Sequence, residues 1–252
     1  MLINERQKQI LDITTARKNI SVEELAKLVY ASEATIRRDL ANLELHGLIR
    51  RIWGGASVID NSSGEISSYF RQQSNTQEKR RMANACVEFL KNDTSYFFDS
   101  SSTVGYIIPH LKRITGGIAI TNGLYTANAL SSVPNIKSFV IGGEIQTATG
   151  ASIGGNAIEQ LNQFYCDIVF FSCHGLSIHG PTEGTIDQQK AKTTMIEHAK
   201  MKVCLVDHTK FGKTYFVRSC SFEDIDVLIT DKLPSDEFLE VINKSGVRLI
   251  VV

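Results

Sequence analysis

The chain has 252 residues, and its 27 Lys+Arg balance 27 Asp+Glu, so the formal net charge is zero. With 42% hydrophobic and 21% charged residues the composition is ordinary for a globular protein, which excludes a disordered or fibrous chain and leaves length for two units. No apolar run exceeds four residues, whereas a bilayer span needs roughly 20, so no membrane partner is expected. The N-terminus, Met1-Leu2-Ile3 followed by Asn4-Glu5-Arg6-Gln7-Lys8, lacks the apolar core of a signal peptide. Five dispersed cysteines (Cys86, Cys166, Cys173, Cys204, Cys220) without a C-x-x-C read as reduced thiols, and a cytoplasmic location is expected. Neutrality at first counts against a nucleic-acid partner, whose footprint is usually basic.

Charge and proline divide the chain. Residues 1–57 hold nine Lys+Arg against seven Asp+Glu, a net +2, and the remainder carries −2. All four prolines (Pro109, Pro134, Pro181, Pro234) fall in the later part. Between the parts runs Asp60-Asn61-Ser62-Ser63-Gly64-Glu65-Ile66-Ser67-Ser68, a polar stretch with few groups able to build a core. The expected organisation is a domain over 1–57, a linker over 58–75 and a second domain over 76–252.

In the first part, Leu2, Ile3, Ile10, Leu11 and Ile13 mark a helical stripe reaching Lys18. Ser21-Val22-Glu23-Glu24 has capping-box form, in which the Ser hydroxyl accepts from the N3 amide and the Glu bonds back. Val22, Leu25, Ala26 and Leu28 give a short second helix its apolar face. A third helix starts at Ser32, with Ile36, Leu40 and Leu43 at i, i+4, i+7 and Gly47 placed to stop it. Leu48-Ile49-Arg50-Arg51-Ile52-Trp53, Gly54-Gly55 and Ala56-Ser57-Val58-Ile59 read as a hairpin.

That order is a winged helix-turn-helix, with the helix-turn-helix at about 20–39. Ser32 at the helix start, with Glu33, Thr35, Arg37, Arg38 and Asn42, then forms the outward surface. Arg reads guanine bidentately and Thr contacts a thymine methyl. Arg50 and Arg51 are placed for phosphates, and Trp53 for packing beside the sugar–phosphate backbone. The partner implied is double-stranded operator DNA. Such proteins read pseudo-symmetric half-sites, so a homodimer or homotetramer is expected.

The second part alternates strand-like and helix-like stretches, which predicts an α/β fold with an open, largely parallel, Rossmann-like sheet. The strands are expected at 95–98, 118–121, 138–141, 168–172, 203–206, 227–230 and 248–252, all short, apolar and suited to burial on both faces. Helices are expected between them, for example at 156–164, 188–199 and 235–243. Ligands of open parallel sheets bind beyond the carboxyl ends of the strands. The residues there are Asp99-Ser100-Ser101-Ser102-Thr103, Thr121-Asn122-Gly123, Gly142-Gly143 and Asp207-His208-Thr209-Lys210. Such a rim suits a phosphorylated polyol: amides, hydroxyls and Lys210 for the phosphate, Asp99 and Asn122 for sugar hydroxyls.

Two motifs give the chain a family resemblance. Ser32-Glu33-Ala34-Thr35-Ile36-Arg37-Arg38-Asp39-Leu40 and Leu48-Ile49-Arg50-Arg51-Ile52-Trp53-Gly54-Gly55-Ala56 closely resemble the DeoR-type (deoxyribose-operon-repressor-like) family of bacterial transcription regulators. The resemblance extends through Phe70-Arg71, Glu78-Lys79, the Asp99 turn, Thr121-Asn122, Gly142-Gly143, Asp207-x-x-Lys210-Phe211-Gly212 and Ile229-Thr230-Asp231. It implies operator binding by 20–39 and an effector domain similar to ribose-5-phosphate isomerase and related sugar-phosphate enzymes. It further implies a repressor of a carbohydrate-catabolism operon, released by a phosphorylated sugar or similar metabolite. The chain departs from the family pattern at three places: Tyr30 stands where Gly or another small residue is common, Ser101 where the Asp99 turn usually has Gly, and the pair Gln188-Gln189 near a usual Glu.

Enzyme readings are weaker. Gly150-Ala151-Ser152-Ile153-Gly154 matches G-x-S-x-G, but a nucleophile elbow needs a strand directly before it, and 144–149 reads as loop. Cys173-His174 would be adjacent on a strand and point to opposite faces. No Cys/His spacing suggests a zinc site, and no phosphate-loop or dinucleotide fingerprint is present, so neither metal nor cofactor is expected. The rival reading is a sugar-phosphate isomerase or deaminase tethered to a DNA-binding domain, with Glu183, His174 and Asp207 as acid–base groups.

Overall fold

Residues 5–45, 48–58, 68–147 and 149–252 are described by the computed structural model, in which the chain separates into two units, Met1–Ser74 and Asn75–Val252. The expected helix stop at Gly47, the start of the first stripe at Leu2 and Ile3, and residues 60–67 of the Ser-rich stretch lie outside the described residues.

The first unit runs through helix α1 (Glu5–Arg17), strand β1 (Asn19–Ser21), helix α2 (Val22–Leu28) and helix α3 (Glu33–Leu45). Strands β2 (Ile49–Ile52) and β3 (Gly55–Val58) and helix α4 (Ser68–Gln73) follow. Capping sets the helix starts. Ser21 Oγ accepts from the Glu24 amide at 3.2 Å, while the Glu24 carboxylate accepts from the Ser21 amide at 3.5 Å. Ser32 Oγ accepts from the Thr35 amide at 3.3 Å. Ile36, Leu40 and Leu43 are buried against Ile10, Leu11, Leu25, Ile49 and Ala56, as the i, i+4, i+7 spacing predicts. Asp39, also buried, accepts from Arg6 Nε at 2.6 Å and Gln7 Nε2 at 2.9 Å, which fixes α3 against α1.

Strand β1 adds to the hairpin, giving an antiparallel sheet of order β1-β3-β2. Asn19-Ile20-Ser21 is too short for its alternation to show in sequence. The span 58–75, read as a linker, includes the last residue of β3 and all of α4.

The second unit begins with helix α5 (Thr76–Ala85), strand β4 (Thr94–Phe98), helix α6 (Ser102–Gly105) and strand β5 (Gly117–Thr121). Helix α7 (Leu124–Leu130), strand β6 (Ile136–Val140), the hairpin β7 (Glu144–Gln146) and β8 (Ala151–Ile153), and helix α8 (Gly155–Leu161) come next. Then follow β9 (Cys166–Phe171), β10 (Gly175–Ser177), β11 (Gly180–Glu183), α9 (Ile186–Glu197) and β12 (Ala199–Leu205). Strands β13 (Val217–Arg218) and β14 (Val227–Thr230), helix α10 (Asp236–Lys244) and strand β15 (Arg248–Val251) complete it.

Seven strands form one parallel sheet of order β15-β14-β12-β9-β4-β5-β6, and each corresponds to an expected strand. Alternation fills both faces: Tyr96 and Phe98 enter one core with Phe170 and Met82, while Phe97 enters the other with Val169, Phe171 and Met195. The order reverses between β4 and β9. From β4 the chain builds outward through β5 and β6, and from β9 the other way through β12, β14 and β15. This is a topological switch point, the crevice where such sheets hold ligands.

The smaller pieces differ from expectation. Residues 144–146 are not loop but strand β7, paired antiparallel with β8, so Ser152 lies inside a strand and not on an elbow. Cys173 and His174 lie beyond the end of β9, so strand alternation does not orient them. Strands β10, β11 and β13 form a small antiparallel sheet of their own.

The turn between α2 and α3 carries a local conflict. The Ala31 amide donates back to the Ala26 carbonyl at 3.0 Å, the six-to-one bond of a glycine-type helix stop. Tyr30 occupies the left-handed position, with φ +53°, and its side chain is 97% exposed. A side chain there costs about 1–2 kcal/mol, and Tyr30 recovers none of it through packing. Tyr30→Gly should therefore stabilise the first unit by about 0.5–1 kcal/mol, after allowance for the extra chain entropy of glycine. Amide exchange in α2 and α3 of the full chain measures this, and slower exchange in the variant is the expected result.

Candidate functional site

In the first unit, α3 presents Glu33, Arg37 and Arg38 exposed, with Thr35 and Asn42 half-buried. Arg37 pairs with Glu33 at 3.1 Å across one helical turn. Ser32 also exchanges a hydrogen bond with Thr35 Oγ1 at 2.9 Å, so its hydroxyl serves the start of the helix. On the hairpin, Arg50, Arg51 and Trp53 are all exposed, and Trp53 makes no packing contact that hides it. The Arg51 amide donates to Glu44 Oε1 at 2.8 Å, and its guanidinium lies 3.8 Å from Glu44 Oε2. Those bonds hold the hairpin to the end of α3. Cation-bearing side chains from α3 and the hairpin thus stand in solvent on a framework fixed by Asp39 and the caps.

In the second unit, the switch point is built around Ser172, one residue past β9. Its amide donates to Asp99 Oδ2 at 3.0 Å, and its hydroxyl donates to the Leu205 carbonyl at 2.6 Å. The same hydroxyl accepts from Lys210 Nζ at 2.8 Å, and its carbonyl accepts from Lys192 Nζ. Asp99 Oδ1 accepts from the Ser101 amide at 2.9 Å, which shapes the turn after β4. Lys192, buried on α9, lies 3.2 Å from Asp99 Oδ2 and donates to Glu183 Oε1, while His174 Nδ1 sits 2.5 Å from Glu183 Oε2.

The remaining rim residues follow. Ser101 caps α6, its hydroxyl accepting from the Val104 amide at 3.3 Å. Ser102 Oγ accepts from Lys79 Nζ at 3.1 Å. Ser100 packs so close to Gly123 that a Cβ there would meet Ser100 Cα at 2.7 Å. Thr121 Oγ1 accepts from the Gly123 amide at 3.0 Å, and Asn122 Nδ2 donates to the Ser152 carbonyl at 3.1 Å. Gly142 is held by Gln160, whose Oε1 accepts from its amide at 3.0 Å. A Cβ on Gly143 would come within 2.8 Å of Ser152 Oγ. Asp207 Oδ2 lies 3.8 Å from Lys210 Nζ. Among the described residues, Thr103 Oγ1, Asn122 Oδ1, Ser152 Oγ and Gln188 Oε1 are buried without a hydrogen-bond partner, as is Thr230 Oγ1 at the end of β14. Such atoms cost about 1–3 kcal/mol each when left unpaired, and they mark where a polar ligand would be rewarded.

The electrostatics separate fixed from available groups. Burial pushes Glu183 up, but the Lys192 charge and the His174 bond outweigh it and hold the carboxyl at about 2. Burial likewise pushes Lys192 down, and the Glu183 and Asp99 charges reverse it to well above its ordinary value. Asp207 is opposed by burial yet lowered, chiefly by Lys210. Burial raises the Cys173 thiol to about 12. An acid fixed at about 2 and a thiol at about 12 are poorly tuned for proton transfer or nucleophilic attack near neutrality. Glu183 and His174 pair with each other, and Asp207 belongs to the Lys210 loop.

Sequence reasoning brought Asp99, Asn122, Asp207 and Lys210 to one rim but left out Ser172, Lys192 and Lys79. Ser172-Cys173-His174 follows β9 just as Asp99 follows β4, so the strand-end rule had the means to find it. Lys192 carries a faint signal at best: it stands with Gln188 at i, i+4 on a helix whose Ala191, Met195 and Ile196 are buried.

The architecture defines a two-unit regulator, a winged helix-turn-helix reader joined to a sensor sheet with a polar switch point. Residues 6–62 match the model of the DeoR-like helix-turn-helix domain, and residues 74–232 match that of the DeoR C-terminal sensor domain. The chain belongs to the DeoR family of transcription regulators. It is 31% identical to the HTH-type transcriptional repressor GlcR of Bacillus subtilis (strain 168), over 100% of this chain and 97% of that protein. It is 29% identical to a putative aga operon transcriptional repressor of Escherichia coli O157:H7, over 99% and 94%. With the glycerol-3-phosphate regulon repressor of Escherichia coli (strain K12) it shares 28% identity over 97% of each. A ribose 5-phosphate isomerase A from Methanocaldococcus jannaschii aligns only remotely (16% identity, TM-score 0.40, 55% of each chain), too little to carry an argument.

The Glu183 carboxylate gives the sensor a signed pH dependence. Its folded value lies below its ordinary 4.5, so its contribution is present above that pH and is lost as pH falls toward about 2. Over that window the loss amounts to about 3 kcal/mol. In urea titrations, wild type should be well ahead of Glu183→Gln at about pH 5, and the gap should close by about pH 2. A gap independent of pH would contradict the assignment.

Proposed function

We propose that this chain is a cytoplasmic repressor of a carbohydrate-catabolism operon, released from its operator when a phosphorylated sugar or similar metabolite binds the sensor. The carrying observation is one chain that joins an exposed Arg37–Arg38 helix and Arg50–Trp53 hairpin to a sensor whose switch point ends in Lys210. In this reading Arg37, Arg38 and Thr35 meet base edges, with Ser32, Glu33 and Asn42 beside them, while Arg50, Arg51 and Trp53 meet the backbone. Lys210 and the Ser100–Ser101–Ser102–Thr103 turn take the phosphate. Asn122 reads hydroxyls with its unpartnered amide oxygen, beside Asp99 and Thr121, and Gly142 and Gly143 let the ligand approach the backbone. The names of the GlcR, aga-operon and glycerol-3-phosphate-regulon repressors support a sugar or polyol derivative as the signal. The active species is a homodimer or homotetramer, matching a pseudo-symmetric operator.

Arg37→Ala and Arg38→Ala should each weaken binding to a duplex selected from a random-sequence library by about 1–3 kcal/mol, read by gel shift. Affinities unchanged in both variants would sink the reader assignment. A thermal-shift screen of sugar phosphates should give a stabilising compound that lowers DNA affinity about 5–150-fold. Lys210→Ala should abolish that shift; a shift that survives it refutes the phosphate assignment.

A further inference from the structure

We propose that Asn75 is a positioning residue of the sensor site, and that through it the site and the reader act on one another; the inference rests on the effector reading of the Lys210 rim. An asparagine at a helix N-cap normally turns its side-chain oxygen to an amide of its own first turn. Asn75 caps α5 without doing so, and it adopts the left-handed conformation, φ 52°, ψ 41°. Its amide nitrogen instead reaches across 132 residues to Asp207 Oδ1 at 3.2 Å, and to Thr209 Oγ1 at 3.4 Å. Asn75 is also the first residue of the second unit, directly after Ser74. The residue at the junction has thus given up its local cap in order to hold the loop that carries Lys210.

Two further side chains of α5 reach neighbouring rim segments. Lys79, one turn on, donates to Ser102 Oγ in the Asp99 turn. Arg81 stands 4.0 Å from Asp231 Oδ2 past the end of β14, and donates to the Val252 carbonyl at 2.9 Å. An anion at Lys210 competes with Asp207 for the ammonium, and at Ser102 it competes for Lys79. Both anchors at the start of α5 therefore feel the same ligand. When Asp207 is freed from Lys210, its hydrogen bonds to Asn75 and Thr209 must readjust, and Asn75 is bonded in sequence to Ser74, the last residue of the first unit. Coupling between sites is reciprocal, so DNA on the reader must alter the Asp207–Lys210 loop by the same route.

The test uses the full chain and a duplex recovered by selection from a random-sequence library, with amide exchange as the readout. In wild type, saturating DNA should change exchange at residues 101–103 and 207–210 several-fold. In Asn75→Gly, which keeps the left-handed backbone available but removes the amide, that change should vanish while saturating DNA still protects α3 and the hairpin, which shows that the duplex is bound. Asn75→Asp keeps the shape but sets a carboxylate against Asp207, so exchange at 207–210 should already be altered without DNA. A merely structural asparagine would tolerate that replacement. The proposal is overturned if wild type shows no DNA-linked change, if Asn75→Gly retains it, or if Asn75→Asp resembles wild type. The sugar-phosphate thermal shift is read separately, so a lost exchange signal with a surviving shift indicts Asn75 alone, and failure to recover any duplex sinks the operator reading with it.

Discussion

The sensor depends on one buried cation. Lys192 lies under the carboxyl ends of β4 and β9, with the Asp99 and Glu183 carboxylates and the Ser172 carbonyl around its ammonium. Burying such a charge costs several kcal/mol unless its partners are complete, and removal of one partner leaves the others stranded. The network joins α9 to the turn after β4, the end of β9 and β11, four segments that local sequence would not hold together. Because Lys192 fixes Asp99, and Asp99 fixes the Ser101 amide and the Ser172 amide, the shape of the whole crevice follows from that one contact. Lys210, by comparison, is bonded to Ser172 Oγ and lies 3.8 Å from the Asp207 carboxylate, a looser hold than that on Lys192. A buried, fully paired lysine thus holds the strand ends together beside a second, less committed one.

The reader solves a smaller version of the same problem. Its core is a dozen or so apolar side chains, and the buried carboxylate of Asp39 orients α3 through Arg6 and Gln7. The motif Arg37-Arg38-Asp39 therefore alternates roles along one helical turn: two side chains face solvent and the third faces inward as an anchor. Sequence spacing alone separates these roles, since Asp39 lies three residues from Ile36 and one from Leu40, on the buried arc.

Legibility followed burial pattern. The central strands of the main sheet could be read because strands covered on both faces are short apolar runs, such as Val203-Cys204-Leu205-Val206, whereas the partly exposed edge strands β6 and β15 were marked by Phe139-Val140-Ile141 and Leu249-Ile250-Val251-Val252. Strands β1, β7, β8, β10, β11 and β13 could not, because two to four residues are too few to show a period, and pairs such as Thr182 with Arg218 join residues far apart in sequence. The rim residues were legible through the strand-end rule, which needs only strand positions. Lys192 was not, because a lysine inside a helix looks like a solvated face until the fold puts two carboxylates beside it. Asn75 was hidden for a related reason: its partner Asp207 is far away in sequence, and a polar residue beside a linker has no local feature to mark it.

The zero net charge takes on a specific meaning once the pairs are known. Of the four arginines proposed to meet DNA, Arg37 is paired with Glu33 and Arg51 lies near Glu44. A random duplex offers phosphates alone, and must compete with those carboxylates while being repelled by them. A correct base sequence adds bidentate hydrogen bonds that an exposed helix pair, worth about 0.3–0.5 kcal/mol, cannot match. A regulator of this kind has to leave its site on a signal worth only about 1–3 kcal/mol. Weak attraction to bulk DNA keeps that modest signal sufficient, because the released protein is not held nearby by charge alone.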